Sequence, residues 1–262
     1  MMLADTHAHL YLEQFDEDRE AMMQRASESG VARVYLPNID SRTIEAMLAV
    51  EAAYPGRCFP MMGLHPCSVK EDYERELSIV RYWLEQRPFC AIGEIGIDLY
   101  WDKTFFEAQQ NAFLTQVEWA LEYDLPIIIH LRDSFDEVVN LLKPIKDKRL
   151  RGIFHCFGGT VQQAETAISL GFLLGIGGVL TYKKSGLDET LKHIGLEHLV
   201  LETDSPYLTP VPFRGKRNES AYVRIVAERL AEVKQENMEV IAEQTTRNAL
   251  KIFEEKKLAF SK

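Results

Sequence analysis

Eight short apolar runs alternate with longer amphipathic segments along this chain of 262 residues. The runs are LADTH, ARVYLPNI, CFPMMGLHP, CAIGEIGID, PIIIHLR, GIFHCFGG, FLLGIGGVL and LVLETDSPYL. Several are almost continuously apolar, which is typical of parallel strands that are covered on both faces. Eight strand-then-helix units in a chain of this length predict an α/β fold of the (β/α)8 TIM-barrel type.

The segments between the runs have helical patterns, and five are clear: Glu17 to Ser29, Ser41 to Ala53, Glu74 to Gln86, Phe105 to Tyr123 and Gln162 to Leu170. An open doubly wound sheet is the alternative, but the chain has no GxGxxG fingerprint. The last run is followed by the polar loop TPVPFRGKRNES, two helical segments and a charged tail, EEKKLAFSK. Because no linker or low-complexity stretch interrupts the pattern, we expect a single domain over residues 1–262.

Composition narrows the functional classes. The formal net charge is −10, which argues against a general basic surface for nucleic acid. A local polyanion site remains open, because bound divalent cations can be the largest charges in a site. The four cysteines form no CxxC pair, so we expect reduced thiols and a cytoplasmic protein. No run approaches the roughly 20 apolar residues of a membrane span, so we expect no membrane partner.

Histidines and carboxylates recur where the predicted strands end, which is the face on which barrel active sites are built. Five of the seven histidines have such positions. In these positions we expect His7, His9, His65, Glu94 (late in the fourth strand), His130, His155 and Asp204.

These residue types predict a metal centre. Taken alone, His130 is typical of a hydrogen-bonded core histidine, and Asp204 of a helix N-cap. Glu94 is harder to explain so simply, because a buried carboxylate is costly unless it is paired or binds a metal. Four protein ligands suffice for one zinc ion. Six donors with a carboxylate able to bridge predict two divalent ions, and Mg²⁺, Mn²⁺ and Zn²⁺ all remain open.

Seven motifs in order, DTHAHL, GLHP, IGEIGID, IIIHLRD, FHCFGG, LETDSPYL and PVPFRGKRNE, resemble the TatD family of metal-dependent deoxyribonucleases, which are amidohydrolase-type barrels. The resemblance covers nearly the whole chain. One departure is Ser220, where related sequences usually carry proline, at the start of a predicted helix. The bridging lysine of other amidohydrolase barrels is absent, and Glu94 stands in its place as in TatD proteins.

The resemblance implies the following metal ligands: His7, His9 and Asp204 for one ion, His130 and His155 for the other, and Glu94 bridging the two. It also implies that His65 and Arg132 face the substrate phosphate. The chemistry agrees, because two divalent ions can clamp a phosphodiester and make hydroxide available near neutral pH. Asp204 is placed to accept a proton from the attacking water, with Glu94 as the other catalytic carboxylate. Arg132, two residues after His130, shares its strand face, and its guanidinium suits phosphate.

Two further groups suggest contacts with a nucleic acid strand. Arg214, Lys216 and Arg217 form a compact basic loop that could guide an anionic strand or be an ordinary solvated cluster. The aromatic residues that follow strand ends could stack on bases or simply pack, and they are Tyr100, Trp101 and Phe157.

Four residues near the predicted site have supporting roles in this interpretation. Glu202 shares a strand face with Asp204, so it either orients a ligand histidine or belongs to the active site itself. Asp5 is expected deeper in the barrel, orienting His7. We interpret Cys67 and Cys156 as packing residues, because the histidine and carboxylate set already suffices.

The sequence therefore predicts a deoxyribonuclease that hydrolyses DNA with a metal-activated water, acting from single-stranded ends. One alternative keeps the metals but changes the bond to an amide, lactone or phosphotriester. Another is a non-catalytic, metal-dependent binding module, although such a module would not need a water-activating carboxylate. A purely structural barrel is least consistent with so many polar groups at one end.

Overall fold

Eight parallel strands alternate with helices in the computed structural model, which describes residues 1–254. The strands are β1 Leu3–Asp5, β2 Val31–Leu36, β3 Cys58–Pro60, β4 Ile92–Asp98, β5 Ile127–Arg132, β6 Gly152–Phe154, β7 Phe172–Ile176 and β8 Leu199–Leu201. Seven of the predicted apolar runs contain one of these strands, and the second run overlaps β2, which begins one residue earlier at Val31, so the predicted strand order is confirmed.

The strands close into a barrel through two short contacts. Strands β1 to β3 form one parallel ladder, and β4 to β8 form another. A bridge between Met62 and Ile92 joins the chain beyond β3 to β4. A second bridge, between Ala8 and Ser205, joins the segments that follow β1 and β8. Every strand thus has two neighbours, as a closed (β/α)8 barrel requires.

Nine α-helices surround the strands within residues 1–254. They are α1 Arg19–Glu28, α2 Ile44–Ala53, α3 Tyr73–Gln86, α4 Phe106–Tyr123, α5 Phe135–Leu142, α6 Val161–Ser169, α7 Leu187–Lys192, α8 Val223–Lys234 and α9 Met238–Glu254. No bounds were predicted for the short helices α5 and α7, although a helix was expected after each strand. Most of the charged tail, residues 255–262, lies outside the described residues. In the part described, no helix is long and apolar enough to cross a membrane.

Several strands end earlier than their apolar runs predicted. The ladder stops at Asp5 in β1, at Phe154 in β6 and at Leu201 in β8. The predicted site residues in these runs therefore lie just beyond the strands and not within them. There the backbone bonds to the neighbouring segment instead, as where the Asp204 amide donates to the His7 carbonyl at 2.9 Å. This departure from regular strand geometry frees side chains to converge above the barrel.

An apolar layer lies beneath those side chains. Ile128, Ile153 and Val200 are fully buried, and each precedes a polar residue of the upper barrel by two positions. Because strand side chains alternate, each shares the inward face of that polar residue. The same buried cluster includes Tyr35, on whose ring Phe253 of α9 stacks with centroids 3.9 Å apart. The polar centre therefore rests on a packed apolar floor that fixes its position.

Candidate metal centre

Glu94 occupies an irregular position in β4. The register between β4 and β5 shifts between Gly93 and Ile95, so Glu94 is the extra residue at this point. Such irregularities in a strand re-aim a side chain. Glu94 is the third of seven residues in β4, so its predicted place late in the strand was wrong. Its carboxylate is only 2% exposed and points into the upper barrel, where it meets the histidines.

The two oxygens of Glu94 face different groups of imidazoles. Oε2 lies 3.1 Å from Nε2 of His7 and 3.6 Å from Nε2 of His9. Oε1 has its neighbours on the other side: Nδ1 of His130 at 2.7 Å, Nε2 of His65 at 3.5 Å and Nε2 of His155 at 3.8 Å. One carboxylate thus stands between two sets of nitrogen donors, as a bridging ligand would.

Asp204 completes the cluster from the segment after β8, where the barrel closes against the segment after β1. Its Oδ1 lies 3.6 Å from Nε2 of His9, 3.7 Å from Nε2 of His155 and 3.8 Å from Nε2 of His7. The residue follows β8 in a left-handed conformation, with a φ of 58°. The structure therefore brings together all six predicted metal ligands, although they come from five different strand ends.

The donor chemistry fits divalent metal ions. Four sets of three ligand atoms lie within 4.8 Å of one another in the described residues: His7, His9 and Glu94; His7, His155 and Asp204; His65, Glu94 and His130; and His155, Cys156 and Glu202. Imidazole nitrogens with carboxylate oxygens are donors that Zn²⁺ and Mn²⁺ accept. His65 lies within this cluster and not apart from it. It also lines the cavity above, where a substrate would lie.

A hydrogen bond fixes the tautomer of His9. The Tyr11 hydroxyl donates to the Pro37 carbonyl, so its oxygen is free to accept from Nδ1 of His9, 2.9 Å away. In the neutral ring, Nε2 then carries the lone pair, and it points toward Glu94 and His7. This is the arrangement that a metal-ligating histidine needs.

Burial sets the protonation of the cluster. It lowers the pKa of His7 and of His155, and together with the charge of His7 it holds the pKa of His9 well below its usual value. Burial alone would raise the pKa of Glu94, but the surrounding imidazoles, His7 foremost, hold it well below the usual range. Neutral His7, His9 and His155 beside an ionised carboxylate are in the protonation state that binds a cation.

Asp98 is a site residue that the sequence analysis missed. It ends β4, and its Oδ2 lies 2.9 Å from Nε2 of His130, whose other nitrogen faces Glu94. Oδ1 accepts the backbone amides of Tyr100 and Trp101, both at 3.0 Å. Burial would lower the pKa of His130, but hydrogen bonds to the two carboxylates raise it to about 9. The sequence did hold a signal, because Asp98 stands at the carboxyl end of a strand.

Glu202 supports His155, as its strand face predicted. Its Oε1 lies 2.9 Å from Nδ1 of His155 and accepts the backbone amide of Cys156 at 2.6 Å. The carboxylate lies so close to Gly175 of β7 that a Cβ there would be 2.1 Å from Oε2. Glycine at this position thus leaves the space in which Glu202 orients the histidine.

Asp5 differs from its expected role. Its carboxylate accepts the hydroxyl of Thr203 at 2.7 Å and the amide of Thr203 at 2.9 Å. The amide of His7 is a more distant donor, at 3.4 Å, and the carboxylate does not contact the imidazole ring. Asp5 therefore ties β1 to the segment after β8, and it positions His7 only through the backbone.

A cavity of about 750 Å³ opens above the cluster. Arg132 lines it, with its guanidinium 3.8 Å from the ring centroid of Tyr100 and 5.2 Å from that of Trp101. These two aromatic residues are 54% and 68% exposed, so they are open to contact a ligand. Phe157 is only 1% exposed and its ring packs in the core, so of the two roles left open for it, the structure supports packing. Cys67 and Cys156 line the cavity as well.

The predicted basic loop is divided between two roles. Arg217 lies 2.6 Å from Asp18 and 4.6 Å from the ring centroid of Phe15, so it ties the loop to the segment before α1. Of the roles left open for this loop, guiding an anionic strand is therefore not supported for Arg217. Arg214 instead lies over the ring of Tyr182, 4.1 Å from its centroid.

Comparison with known proteins decides the family. The family model described as TatD related DNase matches residues 4–254. The chain belongs to the TatD family. An uncharacterized metal-dependent hydrolase of Bacillus subtilis, YabD, is 40% identical over 253 residues, which cover 96% of this chain and 99% of that protein. TatD of Yersinia pseudotuberculosis, named a 3′-5′ ssDNA/RNA exonuclease, is 30% identical and covers 95% of this chain and 98% of its own length.

The TatD fold is shared by solved structures. The TatD homologue YjjV of Escherichia coli superposes with a TM-score of 0.90 at 33% identity, covering 96% of this chain and 97% of that one. A TatD-family hydrolase of Entamoeba histolytica gives a TM-score of 0.82 at 21% identity, over 97% and 98% of the two chains, and supports the fold alone. The chain is thus a TatD-family metal-dependent hydrolase with an amidohydrolase-type barrel.

Proposed function

We propose that this hydrolase is a nuclease that cleaves phosphodiester bonds of DNA, removing nucleotides from single-stranded ends. The observation that carries the proposal is the placement of Glu94 between two imidazole groups, beneath a cavity with Arg132 at its rim. Two ions held a few ångströms apart are the arrangement that clamps a phosphodiester. The names of several relatives, among them the Yersinia exonuclease, support the same substrate class.

As the resemblance to TatD proteins implies, His7, His9 and Asp204 would hold one ion, His130 and His155 the other, and Glu94 both. Among the ligand atoms that lie within 4.8 Å of one another, His155 groups with His7 and Asp204, and His65 groups with Glu94 and His130, so His65 is a further candidate ligand. Divalent ions in such a site would neutralise phosphate charge and lower the pKa of water toward neutrality. Mg²⁺, Mn²⁺ and Zn²⁺ are all candidates for this donor set.

The side chains around the cavity would accept the proton from water and bind the substrate phosphate. Asp204 is 15% exposed and lines the cavity, so its carboxylate can accept a proton from the attacking water. Arg132 would hold a non-bridging phosphate oxygen, and His65 would face the same phosphate from the cluster side.

A single strand suits the rim better than a rigid duplex. Trp101 and Tyr207 line the cavity and are 68% and 49% exposed, and Tyr100, which is 54% exposed, packs against Trp101. Exposed aromatic rings stack on unpaired bases, which is how many single-strand binders hold nucleic acid. A net charge of −10 opposes extended backbone contacts with a duplex.

Chelator-treated protein supplied with Mg²⁺, Mn²⁺ or Zn²⁺ tests the proposal. The substrates are single-stranded DNA, duplex DNA and single-stranded RNA labelled at either end, with a lactone and a phosphotriester alongside. We expect stepwise shortening of single-stranded DNA, and no turnover by Asp204→Asn although it retains metal. The control Asp102→Asn removes a carboxylate that pairs with Lys70 and should be fully active. Hydrolysis of only the lactone or the phosphotriester would refute the nuclease proposal.

A further inference from the structure

A second cavity, of about 530 Å³, adjoins the one above the metal centre. We call it the basic pocket, and its lining is Val179, Thr181, Tyr182, Lys183, Lys184, Ser185, Val211 and Arg214. Val179 lines both cavities, so the two share a wall. The basic pocket lies where the β7–α7 connection meets the loop after β8.

Hydrogen bonds hold these two segments together. The Tyr182 hydroxyl donates to the Thr209 carbonyl at 3.0 Å, and the Val211 amide donates to the Thr181 hydroxyl at 2.9 Å. Tyr182 is also covered on one face by Arg214, whose guanidinium carbon lies 4.1 Å from the ring centroid. These contacts fix the two segments relative to each other, so the basic pocket has a defined shape at the barrel rim.

Its cations are not neutralised by the protein. Among residues 1–254, no carboxylate lies within ion-pair distance of Lys183, Lys184 or Arg214, whereas nearby Arg217 is bound to Asp18. Both lysines are exposed at the rim. Three such cations beside the active cavity form a local anion site on a protein whose net charge is −10.

We infer that the basic pocket is a second nucleotide subsite, which holds the strand on one side of the bond that the metal centre cleaves. This inference rests on the proposed nuclease function. Lys183, Lys184 and Arg214 match the phosphates of that strand in charge. The apolar walls supplied by Val179 and Val211 suit a sugar or base between those phosphates. A planar guanidinium, already stacked on Tyr182, offers its other face to a base.

The subsite sets a requirement for substrate length. A diester that ends at the reacting phosphate, such as bis(para-nitrophenyl) phosphate, has no group that reaches the basic pocket. A single strand of about ten nucleotides has several. The pocket should therefore contribute to the KM for the oligonucleotide and leave the turnover of the small diester unaffected.

The test compares the double variant Lys183→Ala/Lys184→Ala with the wild-type metal-loaded protein. For a thymidine decamer, two lost phosphate contacts should raise KM roughly twentyfold at about 0.1 M salt. They should also reduce the slope of log KM against log salt by about 1.4, at ~0.7 per contact. Neither kcat for the decamer nor kcat/KM for bis(para-nitrophenyl) phosphate should change.

A matched control carries the same change in charge elsewhere. Lys146→Ala/Lys148→Ala alters two exposed lysines between α5 and β6, at the opposite end of the barrel. If both double variants shift KM and the salt slope equally, the effect is one of net charge and the subsite is refuted.

A separate binding measurement distinguishes failure of the subsite from failure of the proposed function. Fluorescence anisotropy of a labelled decamer is recorded with metal-loaded wild type and with both double variants. Weaker binding by Lys183→Ala/Lys184→Ala alone supports the pocket, even if the wild type cleaves no nucleic acid. Equal binding by all three proteins overturns the subsite, whether or not the protein proves to be a nuclease.

Discussion

Replacing Glu94 by glutamine should disable the metal centre while preserving its shape. The amide is isosteric with the carboxylate, but it has no charge and presents an NH2 donor in place of one oxygen. Whichever way it is turned, that donor faces imidazoles: His7 and His9 on one side, or His130 on the other. One donor set therefore loses its carboxylate oxygen in either orientation.

The expected size of the effect can be worked out from the linkage between binding and stability. Replacing a partner that only supports a metal ligand costs about 10- to 100-fold in affinity, so loss of a direct donor should cost at least about 100-fold. Metal at about 100 times its wild-type Kd stabilises the fold by about 2.7 kcal/mol. At the same concentration, the variant would gain only about 0.4 kcal/mol. In a domain of this size, the metal-induced rise in Tm falls from about 5–10 °C to about 1 °C.

Thermal unfolding of chelator-treated protein, with Mn²⁺ or Zn²⁺ titrated back, measures this shift. The control is Glu107→Gln, which removes an exposed carboxylate in the first turn of α4, away from the cluster. The control should show the full wild-type rise in Tm. A Glu94→Gln protein with the same rise would show that Glu94 does not bind the metal, and the bridging arrangement would have to be abandoned.

Three other substitutions test the surroundings of the centre. Asp98→Asn removes the negative charge that orients the His130 ring. At a fixed metal concentration, kcat/KM should therefore fall about 10- to 100-fold. An unchanged kcat/KM would leave Asp98 with a structural role only. Arg132→Lys removes the planar guanidinium that stacks on Tyr100 and that could bind phosphate through two parallel hydrogen bonds. The kcat/KM for single-stranded DNA should therefore fall at least tenfold. A variant with the same kcat/KM as wild type would exclude contact between Arg132 and the substrate. Asp18→Asn breaks an ion-pair network in which arginine partners lower the pKa of Asp18. The stabilising effect is complete above the unfolded pKa of about 4 and is lost only as the pH falls through the lower folded pKa. The variant should therefore be less stable at pH 7, by at most about 1 kcal/mol, and the difference from wild type in urea unfolding should shrink steadily as the pH is lowered below about 4.

The order of the barrel strands was readable from the sequence because it depends on local pattern. Each apolar run marks a strand covered on both faces, and a histidine or carboxylate near its end points to the catalytic face. His7 and His9 alone would have been weak evidence. Their convergence with Asp204 could be expected only after the eight runs had indicated a closed barrel, in which the first and last strands are neighbours.

Other features depend on contacts that no local pattern encodes. The role of Asp98 depends on its pairing with His130 across two strands, and the shifted register at Glu94 is a property of the β4–β5 ladder. Arg217 looked like a free cation because its partner, Asp18, is 199 positions away. Phe157 follows a strand just as Tyr100 does, and only the packing around it decides that one is buried and the other exposed.

The seam between the first and last strands has a consequence for how the protein is made. Asp204 and Ser205 complete both the barrel closure and the ligand cluster, through the Ala8–Ser205 bridge and the bond from the Asp204 amide to His7. A ribosome releases His7, His9, Glu94, His130 and His155 well before it releases these residues. A chain synthesised only as far as His155 therefore carries five of the six candidate donors without Asp204. We expect the complete set to assemble only when the closing strand has docked, so that the same event would finish the fold and complete the candidate metal centre.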